Sequence, residues 1–164
     1  MLVTRSLMMA ALLPLSAATS FATGDLSVRD AWIAAAPPNA PVMAGYMTVE
    51  NHARGPKTLI AATSREFGEV TMHRTEMHEG VARMTHAAKV EIAPHGKVAF
   101  QPGGYHLMLA QAKRPIRSGD AVPVDLSFAD GTHVPVVFRV REPARTAGSG
   151  SPAPAHDHAS MHGH

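Results

Sequence analysis

The chain contains no cysteine among its 164 residues. It therefore forms no disulfide and offers no thiolate as a metal ligand or catalytic nucleophile. Blue-copper electron-transfer sites need a cysteine thiolate, so that class of protein is excluded. Any site for a soft metal must be built from methionine sulfur and histidine nitrogen, and the fold must be stabilised by its core alone.

Aromatic residues and charges are also scarce, at 5% and 17% of the chain, and the net formal charge is only +2. Because nucleic-acid binding relies on clustered basic residues, we expect no such partner. The HExxH and GxSxG patterns of hydrolases are missing, and we expect the protein not to be an enzyme. Beyond the N-terminus no apolar run is long enough for a membrane span.

The N-terminus has the features of a secretory signal peptide. Arg5 precedes an apolar run from Leu7 to about Leu15, and Ser20 and Ala22 suit a cleavage site before Thr23. We therefore predict a signal peptide over residues 1–22, export to the periplasm and a soluble monomer. Removing residues 1–22 takes three of the ten methionines and leaves seven, together with all 11 histidines.

Residues 23–142 have the pattern of one all-β domain. Short runs rich in Val, Thr, Phe and Ile alternate with turn segments such as PHG, PGG, SGD and ADG. Regularly spaced short strands predict a sandwich or barrel. The predicted strands cover residues 26–33, 43–51, 57–63, 69–77, 81–86, 89–92, 97–101, 105–110, 121–128 and 132–140.

One predicted hairpin brings a histidine and a methionine to the same face. If the loop is Glu79-Gly80, His78 pairs with Val81, Thr75 with Met84 and His73 with His86. His73 and Met84 are then diagonal neighbours on one face. In the later strand YHLML, Leu107 and Leu109 point to the core, while His106 and Met108 share the opposite face.

Two imidazoles and two thioethers are a coherent set of neutral ligands. Thioether sulfur favours Cu(I), and imidazole suits several late first-row metals. Zinc prefers thiolate, imidazole or carboxylate, so methionine in the set argues against zinc. The residues His73, Met84, His106 and Met108 therefore predict a Cu(I) site.

The spacing His73-x10-Met84-x21-His106-x-Met108 resembles the H-x10-M-x21-H-x-M pattern of the PCuAC-type periplasmic copper chaperones. The segments PGGYHLML, AGYMTVEN and SGDAVPVDLSFADGTHVPV are similar to that family as well, so the resemblance covers about residues 25–141. It implies a cupredoxin-like Greek-key β-sandwich with an exposed Cu(I) site. It also implies copper delivery toward the copper A centre of cytochrome c oxidase, often alongside a Sco-type thiol protein.

Some residues near the motif need separate interpretation. Arg74 follows the first histidine where this family often has an acidic residue, and a cation there could change partner docking or copper release. We interpret His86 as a surface residue, with a supporting or alternative ligand role left open. We expect Met77 not to be a ligand, with an auxiliary thioether role as the alternative. Core packing is predicted for three other methionines, Met43, Met47 and Met72, and solvent exposure for His52, His95 and His133.

Residues 143–164 form a predicted flexible linker and metal-binding tail, which we expect to be disordered without a ligand. PARTAGSGSPAPA lacks core-forming residues. It precedes a cluster of donor residues, His156, His158, Met161, His162 and His164. Several imidazoles suit Cu(II) better than Cu(I), so the tail is a candidate for Cu(II) capture. A solvated tail that binds metal only incidentally is the alternative.

Two other functions fit the same residues. A periplasmic protein that sequesters copper for resistance, without a dedicated acceptor, could use identical ligands. A purely structural β-sandwich predicts no stoichiometric metal at all. The sequence does not distinguish a chaperone from a sequestering protein, because they differ only in what happens to the copper.

Overall fold

The computed structural model describes residues 21–37 and 40–143, without the side chains of residues 21–23. Every regular element in this part of the chain is a strand, and none of its residues form a helix able to span a membrane. The strands are β1 Phe21–Thr23, β2 Leu26–Ala34, β3 Val42–Asn51, β4 Lys57–Thr63, β5 Phe67–His78, β6 Val81–His86, β7 Val90–Ile92, β8 Lys97–Phe100, β9 Tyr105–Ala112, β10 Ala121–Phe128 and β11 His133–Arg141.

The predicted all-β fold is confirmed, and each of the ten predicted strands is present within two residues of its expected ends. Alternation explains this agreement, since β10 and β11 expose and bury successive residues along most of their length. The extra strand β1 was not predicted. The expected cleavage before Thr23 falls inside it, so cleavage there would leave only the pairing of Thr23 with Leu26.

The strands form one hydrogen-bonded sheet in the order β6-β5-β9-β8-β3-β2-β11-β10-β4-β7, with β1 added to β2 and a further pairing of β9 with β3. The strands pack around a single apolar core, to which β5, next to one end of this order, and β7, at the other end, both contribute. Leu107 and Leu109 come from β9, and Leu59 comes from β4 near the other end. All three are fully buried, and Phe128 and Phe138 are at most 2% exposed.

The edge of this sheet positions the candidate site. Strand β6 is an edge strand, and all six of its residues are exposed. Strand β9 lies further in and pairs with β5 on one side and with β3 and β8 on the other. The predicted signal peptide before residue 21 and the tail beyond Pro143 lie outside the described residues.

Candidate metal centre

The β5–β6 hairpin has the predicted register. His78 pairs with Val81, Thr75 with Met84 and His73 with His86. Its loop residues, Glu79 and Gly80, have φ angles of 51° and 80°. Two successive residues with positive φ match the right-handed twist of a tight hairpin, and this turn therefore sets which residues share a face.

Strand β9 adds the second pair of candidate ligands beside the first. His106 pairs with His73, and Met108 pairs with Thr71, which is two residues before His73. Directly paired residues and residues two apart along a strand point to the same side of a sheet. The structure thus brings all four predicted ligands, His73, Met84, His106 and Met108, to one face, which we call the site face.

Met84 and Met108 occupy opposite corners of the site face. Met108 lies on the same strand as His106, whereas Met84 lies across the hairpin opposite Thr75. A metal ion held by His73 and His106 would therefore be nearer to Met108. Met84 must reach diagonally across the hairpin to contact the same ion.

The four candidate ligands differ widely in exposure. His106 is only 6% exposed, while Met84 is 57% exposed. His73 and Met108 have intermediate exposure. The difference follows from strand order, because β9 has neighbours on both sides and β6 is an edge. The candidate ligands therefore form a gradient from solvent at Met84 to the interior at His106.

The buried imidazole of His106 has a defined orientation. Its Nδ1 lies 3.1 Å from the carbonyl oxygen of Gly104. Because a carbonyl can only accept, Nδ1 carries the proton and donates it. The lone pair of Nε2 then remains available to a metal, which is how ligand histidines are usually held. The same carbonyl accepts a hydrogen bond from the backbone N–H of Thr75, at 3.1 Å.

The turn before His106 depends on a glycine. Gly103 has a φ of 79°, which costs a residue with a Cβ about 1–2 kcal/mol. We predict that Gly103→Ala lowers the free energy of unfolding by about 1 kcal/mol, because a smaller unfolded-state entropy offsets part of the strain. Urea denaturation measures this effect.

Gly55→Ala is the matched control for that substitution. Gly55 lies outside the left-handed region, and a Cβ there has no atom within 4 Å. It should leave the unfolding midpoint unchanged or slightly raised. Equal midpoints for the two variants would contradict the proposed strain at Gly103.

His73 occupies the centre of the site face. The hydroxyl of Thr71 lies 3.0 Å from its Nε2. Its ring centroid is 5.9 Å from that of His106 and 5.5 Å from that of His86. Partial burial lowers the pKa of His73, and the nearby imidazoles of His106 and His86 lower it further. The neutral form, which can coordinate a metal, is therefore favoured.

Arg74 lies on the opposite side of the sheet from the candidate ligands. It pairs with Thr85 and Tyr105, its guanidinium lies 5.1 Å from the centre of the Tyr105 ring, and it forms an ion pair with Glu76 at 3.0 Å. Its charge is therefore directed away from the site face, and the departure from the family pattern leaves the donor set unchanged.

The remaining predicted roles can be compared with burial. The core methionines Met43, Met47 and Met72 are buried, as predicted. His52, His95 and His133 are exposed, as predicted. His86 is exposed as expected for a surface residue, but it lies directly beside His73. Met77 is 66% exposed at the tip of the hairpin, on the site face.

In residues 21–37 and 40–143, no three His, Asp or Glu side chains are already gathered around one point that could hold a metal. A site with four donors on this face therefore needs the sulfur atoms of Met84 and Met108 as ligands. The supporting contacts from Gly104 and Thr71 were missed by the sequence interpretation. Thr71 was detectable in principle, because it lies two residues from His73 and so shares its face.

Comparison with known proteins agrees with this architecture. Residues 26–140 match the model of the LpqE-like family, described as "Putative lipoprotein LpqE-like". A relative from Leifsonia xyli subsp. xyli, "Putative lipoprotein Lxx21020", is 32% identical over 132 residues, covering 79% of this chain and 78% of its own.

Two solved structures have a similar fold. The copper-bound PCuAC domain from PmoF2 has a TM-score of 0.65 at 24% identity, with 76% of this chain and 99% of that domain covered. The Cu(I) form of DR1885 from Deinococcus radiodurans has a TM-score of 0.57 at 30% identity, covering 70% of this chain and 76% of its own. The chain belongs to the LpqE-like family and has the cupredoxin-like β-fold of the PCuAC domains.

Proposed function

We propose that the protein is a periplasmic copper chaperone that binds Cu(I) through His73, Met84, His106 and Met108. The observation that carries this proposal is the strand register, which brings two histidines and two methionines to one face. Such a donor set adds no negative charge and suits a soft monovalent ion. The copper-bound PCuAC domain and the Cu(I) form of DR1885, both with this fold, support the same metal.

The gradient of exposure supports transfer rather than permanent storage. His106 is buried and oriented by Gly104, so it can retain the ion while other ligands exchange. Met84 is more than half exposed and lies on an edge strand, where an acceptor could replace it first. If the exposed ligand is replaced first while the buried ligand still holds the ion, copper can move to an acceptor without being released into solvent.

The acceptor we propose is the copper A centre of cytochrome c oxidase, directly or through a Sco-type thiol protein. This part of the proposal rests on the family resemblance of the motif. A thiolate is a stronger ligand for Cu(I) than a thioether, so transfer from this site to such an acceptor is downhill. The predicted signal peptide supports a periplasmic location. In this proposal the protein acts as a carrier rather than as an enzyme.

The tail residues His156, His158, Met161, His162 and His164 are proposed to capture Cu(II) near the domain. Thirteen residues, 143–155, lie between Glu142 and His156, and the predicted flexible linker would span about 20 Å. Glu142 lines a groove together with Gln111 and Ala112, at the end of β9 away from His106. The segment of β9 from His106 to Ala112 is about 20 Å long. A linker of the predicted span would bring the tail to the site face and raise the local copper concentration there.

A transfer assay tests the proposed function. The exported full chain would be loaded anaerobically with one equivalent of Cu(I). It would then be mixed with an apo copper A domain or a reduced Sco-type protein, separated again, and both proteins analysed for copper. We expect copper to move to the acceptor at a rate that rises with acceptor concentration, because transfer requires contact.

The alternative function gives a different outcome. A sequestering protein would retain its copper, or lose it at the same rate to any acceptor, since dissociation would then limit the rate. A small-molecule chelator of matched affinity is the control that measures this dissociation rate. Loss to the protein acceptor no faster than loss to the chelator would reject the chaperone function and favour sequestration.

A further inference from the structure

The cross-strand row of three histidines on the site face points to a second ligand set. His86, His73 and His106 are consecutive partners across β6, β5 and β9. Their side chains therefore point to the same side of the sheet. Only His73 and His106 belong to the proposed Cu(I) site, and His86 is not used by it. The inference rests on the proposed function because it concerns the same face.

Each outer ring lies close enough to His73 to share one ion with it. With metal–nitrogen bonds of about 2.0 Å, two imidazoles that share a metal have ring centroids within about 6 Å of each other. The centroid distances from His73 are 5.5 Å to His86 and 5.9 Å to His106. His86 and His106 lie on opposite sides of His73, about 10 Å apart at the usual strand spacing, so His86 has to turn toward His106 if all three are to share an ion.

The exposure of His86 makes this rearrangement feasible. The three rings lie in a row and are not gathered around a common point, so an ion must draw at least one of them inward. His86 is exposed on an edge strand, and its ring can turn without disturbing the core. His86 is paired directly with His73, whereas Met84 is paired with Thr75, two residues further along β5.

We propose that His86, His73 and His106 form a Cu(II) site within the folded domain, distinct from the tail. Three imidazoles without a thioether suit Cu(II), which also binds nitrogen ligands more tightly than the other divalent first-row ions do. Since two of the three histidines are shared with the Cu(I) set, the domain holds one copper ion at a time. His86 serves the divalent ion, and Met84 and Met108 serve the monovalent one.

The test uses the full chain with His156, His158, His162 and His164 replaced by glutamine, so that the tail no longer binds Cu(II). Cu(II) affinity is measured by competition with a chelator, and the number of coordinated nitrogens is read from the electron paramagnetic resonance spectrum. His86→Gln is expected to weaken Cu(II) binding at least tenfold and to remove one nitrogen. Its Cu(I) affinity should change less than threefold.

His78→Gln is the matched control, because His78 lies on the same hairpin but on the opposite face. It should change neither affinity. Preloading with Cu(I) should block the three-nitrogen signal.

Two results would overturn the inference while the proposed function stands. In the first, the domain binds Cu(I) but no Cu(II). In the second, His86→Gln changes neither the Cu(II) affinity nor the number of coordinated nitrogens. A different result, Cu(I) binding that does not depend on Met84 or Met108, would instead reject the proposed function. Thermal unfolding of each variant checks that the fold is intact.

Discussion

Met108→Leu is expected to lower the affinity for Cu(I) about tenfold or more. Leucine keeps the apolar volume of the side chain but has no sulfur to coordinate the ion. Met108 follows His106 on the same strand and pairs with Thr71, so it is the thioether nearest to the two ligand histidines. Met84→Leu should also lower the affinity for Cu(I), but by a smaller factor, because Met84 is exposed and is paired with Thr75 rather than with a ligand histidine.

An anaerobic competition titration against a chromophoric Cu(I) chelator measures both effects. Met77→Leu is the matched control, since Met77 is an exposed methionine on the same face, at the tip of the hairpin. It should leave the affinity unchanged. If both ligand variants behave like this control, methionine sulfur does not bind the ion and the proposed site is incorrect.

His106→Leu is expected to abolish tight Cu(I) binding while leaving the fold intact. His106 supplies the ligand nitrogen that is buried and held in one tautomer by Gly104. No solvent molecule or exposed side chain can easily take its place at 6% exposure. The carbonyl of Gly104 keeps its hydrogen bond from the N–H of Thr75, so the free energy of unfolding should change by no more than about 1–2 kcal/mol.

The same titration, combined with urea denaturation, separates binding from stability. His133→Gln is the control, because His133 is exposed on β11, outside the site face. Tight binding that survives in His106→Leu would remove His106 from the ligand set. A collapse of stability would instead show that His106 is chiefly a structural residue.

Local sequence information was sufficient for the strands and for one half of the site. Alternation of apolar and polar residues located the ten strands, and Glu79-Gly80 predicted the hairpin register that puts His73 opposite His86. The lack of cysteine limited soft-metal ligands to histidine and methionine. These features depend on residues close together in the chain, where backbone geometry and turn chemistry act directly.

The other half of the site required the tertiary structure. Many apolar strands in this chain have similar patterns, and no short-range rule states that β9 lies beside β5. That pairing puts His106 next to His73 and makes His106 a buried residue.

The sequence by itself determined which donors exist, where the strands lie and which hairpin residues share a face. The tertiary structure alone decided which donors become neighbours and how far each is buried. The physical reason is that strand order results from burying all apolar faces in one core, which is a property of the whole chain.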